Sequence, residues 1–382
     1  MTNDNNKKIQ SLDSLRGVLS FLVVIAHAWQ TFIHPLEIRD TPAQYVFGLL
    51  ARFAVLCFFC LSGYVITLSI DLNRVRHGAF GLWDFFLARA FRITPPLLLV
   101  FAITFLAELA LIFLGADLVN SDWTVREIYA TDIALQLKAL RTFCTQGDLT
   151  GGGFNGPLWT LAYEIQLYVM AGLLAYALFA NRIWLRIIAF LVLFHYLRRI
   201  GFSLKRVPAL DIQTVSFLSF GFGSIAYLWR GAPRALLLTI AAVLVPSIFA
   251  VAVLASSEDI LRNLDTSREW LIFQALVSIG FSLMVLAIAR SGKFNQLHKM
   301  GEYSYTLYIA HFPLLVLVYF LLHHFFPEIL NPICSLLIAM LSVVFVLGVS
   351  MFMGHLIEQP GTQRKLTFKL FANLRTKVWA RK

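Results

Sequence analysis

The apolar stretch GVLSFLVVIAHAWQTFI, at residues 17–33, decides the fold class of this chain. A helix that crosses the hydrocarbon core of a bilayer needs roughly 17–25 mostly apolar residues, and this stretch reaches that length without a charged residue. Nine further apolar runs follow it, at residues 53–70, 93–116, 157–180, 183–197, 212–229, 235–257, 270–289, 303–322 and 329–357. The sequence therefore predicts an all-α, polytopic membrane protein with about ten transmembrane helices.

The composition of the whole chain supports this fold class. Of 382 residues, 59% are hydrophobic and 14% are charged, whereas charged residues make up roughly 25% of an ordinary soluble domain. Four cysteines are too few to form a disulfide scaffold in a chain of this length. The formal net charge of +11 favours loops that face anionic lipid or phosphates. A soluble, disordered or disulfide-stapled protein is excluded, and no nucleic acid is expected among the partners.

The basic residues between the apolar runs indicate how the chain is oriented. Basic loops stay in the cytoplasm, and the segment 71–92 carries four arginines while residues 361–382 carry seven lysines or arginines. We predict a single membrane domain at 1–360, a basic cytoplasmic tail at 361–382, and both termini in the cytoplasm. The expected location is a membrane, which the chain crosses many times.

One basic loop does not fit this orientation. Arg198, Arg199, Lys205 and Arg206 lie between the fifth and sixth apolar runs, which the count places outside. Either the fifth run is not a full span, or the loop is basic for a functional reason. In the second case these side chains are candidates to attract an anionic acceptor, either a glycan or a lipid-linked pyrophosphate.

Two polar residues share one face of the first predicted span. Arg16 and His27 are 11 residues apart, which is three helical turns plus about 20°, and places them roughly 16 Å apart along the axis. Asp13 lies one turn before Arg16 and can pair with it. An ionisable side chain inside a span is a functional hypothesis by default. The alternative is a snorkelling arginine and a hydrogen-bonded structural histidine.

Glu164 is a buried carboxylate candidate in the fourth predicted span. It lies about two turns from the start of that span, and we expect its depth to be similar to that of His27. A carboxylate at that depth can orient an imidazole and stabilise its charged form. A structural hydrogen bond is the alternative interpretation, and Glu108 in the third predicted span is a competing acid.

Two further groups of polar side chains recur at helical spacing. Tyr305, Tyr308 and His311 form a stripe on the ninth predicted span, which indicates either a wet cavity or an aromatic packing face. Arg89 and Arg92 lie one turn apart, and two guanidinium groups at that spacing can clamp phosphates. Plain positive-inside anchoring is the alternative for the arginine pair. No metal site is predicted, because the pattern at 57–60, Cys-x-x-Cys, lies inside an apolar run.

These residues fall into six motifs that occur in order along nearly the whole chain. The motifs are Arg16 followed by His27, FFCLSGY at 58–64 with Ser62, Arg89-x-x-Arg92-x-x-Pro95, LWTLAYE at 158–164 with Trp159 and Glu164, Ser304-Tyr305-x-x-Tyr308-x-x-His311, and IEQP at 357–360 with Glu358. Together they resemble the acyltransferase 3 family of integral membrane acyltransferases. Thr160 stands where the family usually has serine.

The resemblance implies a ten-helix fold and transfer of an acyl group, usually acetyl, from cytoplasmic acyl-CoA to a hydroxyl of a sugar or glycan. It points to the stand-alone type that modifies exopolysaccharide or O-antigen. It implies no permanently bound cofactor; acyl-CoA is the donor substrate. The expected partners are acyl-CoA, a glycan or lipid-linked saccharide, and membrane lipids.

A mechanism follows as a hypothesis. Arg16, Arg89 and Arg92 hold the CoA phosphates, His27 acts as general base on the acceptor hydroxyl, and Glu164 holds the imidazole. A transient acyl group on His27 is the alternative. One alternative is a proton-coupled transporter or flippase of a glycan or lipid-linked intermediate, in which buried His and Glu relay protons. Such transporters often contain internal repeats, and this sequence contains none. A non-catalytic membrane scaffold is the other alternative, and it leaves the shared face of Arg16 and His27 unexplained.

Overall fold

The structure, a computed structural model, describes residues 2–33, 36, 42–114, 155–199, 212–233, 268–329 and 331–358. These ranges contain ten α-helices, and no strand occurs in them. The helices are α1 (Thr2–Phe32), α2 (Pro42–His77), α3 (Leu82–Phe113), α4 (Trp159–Phe179), α5 (Ile183–Arg199), α6 (Ile212–Leu228), α7 (Arg268–Ser291), α8 (His298–Glu302), α9 (Ser304–Phe325) and α10 (Pro332–Ile357).

Seven segments of these helices are long and apolar enough to cross a membrane, which confirms an all-helical, multi-pass architecture for the described chain. The seven are Lys7–Phe32, Val46–His77, Leu82–Ala107, Gly156–Phe179, Trp270–Ser291, Ser304–Phe325 and Pro332–Ile357. Helices α5 and α6 have 17 residues each, and α8 has five. The predicted run at 235–257 and the tail at 361–382 lie outside the described residues.

Helix α1 has a central position in the bundle. It packs against α2, α7, α8, α9 and α10. One of its faces buries Leu12, Leu15, Leu19 and Val23 against α2 and α7. Another buries Val24, Ala28 and Phe32 against α9. Because both faces are covered, Ser11, Ser14, Ser20 and His27 of α1 are buried in the protein.

Two glycines allow α2 and α6 to touch through their backbones. A Cβ atom on Gly63 would collide with the carbonyl oxygen of Phe220, and one on Gly223 would collide with the carbonyl oxygen of Cys60. Helices in lipid associate through close packing because the surrounding hydrocarbon is as apolar as their side chains. This reciprocal contact fixes α2, and with it the Phe58–Tyr64 motif, against α6.

The start of α9 is tied to α1 near Arg16. A Cβ atom on Gly301 would collide with the backbone of Asp13, and a Cβ on Gly17 would lie 2.9 Å from the Met300 Cβ. The Ser20 hydroxyl donates a hydrogen bond to the Ser304 carbonyl oxygen at 3.0 Å. These contacts bring the beginning of the Tyr305, Tyr308 and His311 stripe beside the first helix.

Candidate active site

An elongated cavity lies between helices α1, α2, α3, α4 and α9. It has an empty volume of about 880 Å³, counting the space at its opening. One wall, from α2, is mainly apolar, and the other walls carry most of the polar and charged groups. The lining residues are Arg16, Val55, Phe58, Phe59, Leu61, Ser62, Val65, Ile66, Arg89, Arg92, Ile93, Thr160, Glu164, Tyr168, Ser304, Tyr305 and Tyr308.

Three arginines face the cavity, and two of them lack a direct ion pair within the described chain. Arg16 pairs with Asp13 at 3.0 Å. The Arg89 guanidinium lies 4.7 Å from the centre of the Phe85 ring. Neither Arg89 nor Arg92 donates a hydrogen bond or meets a carboxylate at salt-bridge distance among the described residues, although the charge of Glu164 acts on both. Two adjacent guanidinium groups in this state can take a phosphate in bidentate fashion.

Helix α3 runs unbroken through Pro95 and Pro96, so Arg89 and Arg92 sit one turn apart on the same helix, as expected. The hydroxyl of Tyr305 donates to the carbonyl oxygen of Ile93 at 3.3 Å. This bond places Tyr305 level with the residue that follows Arg92. The arginine pair and the start of α9 therefore belong to the same part of the cavity, which we call the arginine end.

Glu164 is the carboxylate inside the cavity. It accepts hydrogen bonds from the Ser62 hydroxyl, at 3.4 Å, and from the Tyr168 hydroxyl. Tyr168 follows Glu164 by one helical turn, and Thr160 precedes it by one turn. No hydrogen bond or ion pair joins Glu164 to His27 among the residues described, so the expected direct support of the imidazole by this carboxylate is not among the contacts of the site.

His27 is buried beside a second histidine. Its side chain is 4% exposed, and its Nδ1 atom lies 2.8 Å from Oε1 of Gln30. The His27 ring stacks on the His311 ring with centroids 5.1 Å apart, and the edge of Phe312 closes the site. With the amide oxygen as acceptor, Nδ1 carries the proton and Nε2 keeps the basic lone pair.

The two histidines lie directly behind the cavity wall. Tyr308 lines the cavity, and its carbonyl oxygen is 2.6 Å from the Nδ1 atom of His311. The Tyr308 hydroxyl lies 2.5 Å from the Thr160 hydroxyl. We call this part the histidine end of the cavity. His311 thus follows the cavity-lining Tyr308 by less than one turn, and the His27 ring stacks on His311.

Glu358 reaches this region from the end of α10. Its Oε1 atom accepts the backbone N–H of Thr306 at 2.7 Å, which satisfies one of the unpaired donors in the first turn of α9. Burial raises the pKa of the Glu358 carboxyl above its ordinary value, while the Thr306 bond and the charges of Arg92 and Arg16 act in the opposite direction. Glu358 is therefore a support for the start of α9.

The structure brings most of the sequence-predicted residues together but not all of them. Trp159 packs edge-on against Tyr163, with ring centroids 5.5 Å apart. Arg198 and Arg199 are exposed at the end of α5, whereas Lys205, Arg206 and the side chain of Glu108 lie outside the described part of the chain. The residues that line the cavity or contact its lining are Asp13, Arg16, Ser62, Arg89, Arg92, Glu164, Tyr305, Tyr308 and His311.

Several contributors to the site were missed in the sequence. Tyr168 follows Glu164 at i+4, and Gln30 follows His27 at i+3, so helical spacing would have suggested both. Phe58 was quoted only as part of a motif, and the structure places its ring 5.5 Å from that of Tyr308. Nothing in the sequence signals this last contact, because it joins two different helices.

Comparison with known proteins confirms the family resemblance. Residues 9–353 match the model of a family described as an acyltransferase domain. The chain is also 25% identical, over 367 residues, to a protein of Shigella phage Sf6 named O-acetyl transferase. That alignment covers 92% of this chain and 96% of the phage protein. No solved structure gives a significant match.

Proposed function

The chain belongs to this acyltransferase family, and on that premise we propose that it transfers an acyl group from acyl-CoA to a hydroxyl of a cell-surface glycan or lipid-linked saccharide precursor. The acyl group is acetyl in the simplest case, because the phage relative is named an O-acetyl transferase. The reaction takes place in a multi-pass protein of a bacterial-type inner membrane. No resident cofactor or metal is part of the proposal.

The arginine end of the cavity is the observation that carries the donor assignment. Arg89 and Arg92 face the cavity without a hydrogen bond or direct ion pair to any described residue. Charges inside a membrane protein are costly unless they serve a pathway or a ligand. The phosphates of a CoA nucleotide supply the anions that such a pair can bind. Arg16, already paired with Asp13, adds a third positive charge beside them.

The rest of the cavity suits the remainder of the donor. From the arginine end, the lined space runs along α2 past Ser62 to Phe58 and Tyr308. The mainly apolar α2 wall can accommodate a thin pantetheine arm, and Ser62 with Glu164 offers polar partners along it. The thioester thereby arrives at the histidine end while the phosphates stay at the arginine end.

His27 is the proposed general base. The acceptor oxygen attacks the thioester carbonyl carbon while Nε2 of His27 takes the hydroxyl proton, a contribution of typically ~10²–10⁴-fold in rate. The carbon–sulfur bond then breaks, and the imidazolium returns its proton to the leaving thiolate. The products are the acyl ester and free CoA thiol. Gln30 positions the ring, and Tyr308, which lines the cavity, lies on the proposed path between thioester and imidazole.

The proton-coupled transporter or flippase would use the same buried imidazoles and Glu164. It gives no reason for Arg89 and Arg92 to lie without direct anionic partners in the cavity. Binding distinguishes the two functions, because acetyl-CoA stabilises the acyltransferase against heat and leaves a transporter of glycans unaffected.

The donor assignment is tested with detergent-purified protein and acetyl-CoA. We expect the donor to raise the thermal unfolding midpoint of the wild type, and Arg89→Gln with Arg92→Gln to raise the half-maximal acetyl-CoA concentration at least tenfold. Arg76→Gln is the matched control, since Arg76 is an exposed arginine at the end of α2 and should leave that concentration unchanged. An unchanged half-maximal acetyl-CoA concentration in the double variant would mean that the two arginines only orient the helix in the membrane.

The acceptor is tested in cells. Mass spectrometry of surface glycans should show acyl esters with the wild-type protein and lose them with His27→Ala. Arg198→Ser with Arg199→Ser tests whether the exposed end of α5 assists the acceptor. If acceptor modification and acyl-CoA hydrolysis fall equally, Arg198 and Arg199 have a structural role and do not bind the acceptor.

A further inference from the structure

The histidine end of the cavity is closed by two aromatic rings from different helices. The Phe58 ring of α2 meets the Tyr308 ring of α9 at a centroid distance of 5.5 Å and an interplanar angle of 67°. Such an edge-to-face pair is a favourable arrangement of two rings. Tyr308 is held further by its hydroxyl contact with Thr160 of α4. The end wall of the cavity is therefore a packed surface that three helices build.

The positions of the lining residues fix the order of groups along the cavity. Phe58 and Ser62 are one turn apart on α2, and Thr160 and Glu164 are one turn apart on α4, which is about 6 Å in each case. Phe58 meets the Thr160–Tyr308 pair, and Ser62 meets Glu164. The cross-helix contacts thus form two successive layers, and the Phe58 layer is the one farther from the arginines.

An acyl-CoA bound as proposed above presents its acyl carbons to this end wall, so the inference rests on the proposed function. We propose that Phe58 sets the upper length of the acyl chain and restricts the donor to short acyl groups such as acetyl. Each further methylene must displace a ring that is packed against Tyr308. Protein interiors are close-packed, so even one extra methylene there has an energetic cost. In an apolar pocket one methylene changes discrimination by roughly 10–200-fold.

The choice of Phe58 over the other lining residues follows from its contacts. Phe59 also lines the cavity, but it is 4% exposed and buried within a hydrophobic cluster with α3, α4 and α6, whereas Phe58 is only partly buried against its own cluster. Tyr308 belongs to the proposed path to the imidazoles, so its substitution would alter the reaction as well as the space. Phe58 limits the length of the cavity, and its side chain forms no hydrogen bond among the described residues, so its substitution should change the space and not the reaction.

The test measures thermal stabilisation of detergent-purified protein by acetyl-, butanoyl- and hexanoyl-CoA. We expect the wild type to bind acetyl-CoA at a lower half-maximal concentration than the longer donors. Phe58→Ala should lower the butanoyl-to-acetyl ratio of these concentrations at least tenfold. Phe58→Leu should lower it by less, and it carries the test if the alanine variant does not fold.

Val65→Ala is the matched control. Val65 lines the same wall two turns nearer the arginine end, roughly 10 Å from Phe58 along the helix. Extra space there should change the affinity for all three donors by the same factor and keep their order.

The outcomes separate the two proposals. A wild type that binds acetyl-CoA, with an unchanged chain-length order in both Phe58 variants, overturns the role of Phe58 and leaves the proposed function standing. A Val65→Ala variant that admits longer chains as well as Phe58→Ala does would also overturn it. A wild type that none of the three donors stabilises overturns the proposed function, and the inference with it.

Discussion

The hydroxyl groups of Thr160 and Tyr308 lie 2.5 Å apart, and this contact closes the cavity on the side of His27. The Thr160 hydroxyl also donates a hydrogen bond to the carbonyl oxygen of Pro157 at 3.0 Å. The start of α4 thus holds a tyrosine that belongs to α9. The bond joins the cavity that faces Arg89 and Arg92 to the wall behind which the histidines stack.

Thr160→Val should disturb this closure. The valine keeps the shape of threonine but removes the hydroxyl that Tyr308 contacts, and loss of such a hydrogen bond typically costs about 0.5–1.5 kcal/mol. We expect a lower rate of acyl transfer at saturating donor, measured as thiol release in membranes that contain the protein. Thr160→Ser keeps the hydroxyl and should retain most of the rate. Equal rates in the valine and serine variants would show that the hydroxyl contact has no role in turnover.

His27→Ala should separate catalysis from binding. Loss of a general base lowers the rate by typically ~10²–10⁴-fold, whereas the arginine end is untouched. We therefore expect acyl transfer to fall within that range and the half-maximal acetyl-CoA concentration for thermal stabilisation to stay within twofold of wild type. His324→Ala, an exposed histidine near the end of α9, should retain full activity. Near-normal glycan acylation by His27→Ala would remove the general-base assignment.

Glu358 gives a prediction for pH. Burial raises the pKa of its carboxyl in the folded protein, so the protonated form is favoured by folding. The stability contributed by this protonation is fully present below the ordinary pKa of a glutamate and is lost as pH rises through the raised value. Glu358→Gln keeps an oxygen for the Thr306 N–H and cannot ionise. The thermal unfolding midpoint of Glu358→Gln, relative to that of the wild type, should therefore rise as pH increases from 4 towards 7.

The same measurement has a control in Glu328→Gln, because Glu328 is exposed in the turn before α10. This variant should follow the wild type across the pH range. Glu358→Ala removes the cap altogether and should destabilise the protein at every pH, by about 0.5–2 kcal/mol. Parallel curves for wild type and Glu358→Gln would contradict the raised pKa.

Gly223→Ala should weaken the bundle, whereas Gly221→Ala should not. A Cβ atom at position 223 would collide with the Cys60 backbone, but at position 221 it meets no other atom within 4 Å. Overpacking of this kind typically costs about 1–3 kcal/mol, and the backbone cannot swing aside as a side chain can. The thermal unfolding midpoint of the purified variants distinguishes the two. A stable Gly223→Ala protein would contradict the close approach of α2 and α6.

Much of this architecture was predictable, because it depends on features that are local in sequence. Arg89 and Arg92 are one turn apart on a helix, and Asp13 precedes Arg16 at i+3, so geometry along one helix was enough to place each pair. The all-helical, multi-pass fold followed from apolar runs. The count of ten spans is not confirmed, since the fifth and sixth runs form helices of 17 residues and the run at 235–257 lies outside the described chain.

The contacts between helices could not be predicted in the same way. The expected match in depth between Glu164 and His27 assumed that the start of the fourth span lies level with the end of the first. Thr160, one turn before Glu164, contacts Tyr308, which itself precedes His311 by almost a turn. Glu164 is thus displaced toward Ser62 and Tyr168. A sequence gives the spacing along each helix, but the axial shift between helices depends on packing of the whole bundle.

The backbone contact at Gly63 and Gly223 holds α2 and α6 together as one rigid unit. Residues of α2 from Val55 to Ile66 form the mainly apolar side of the cavity. Because α2 is packed backbone to backbone against α6, we expect this side to keep its position when a substrate binds. The start of α9 is also anchored, to α1 through Ser20. We therefore expect any widening of the cavity for a bulky substrate to come from α3 and α4, the helices that carry Arg89 and Glu164.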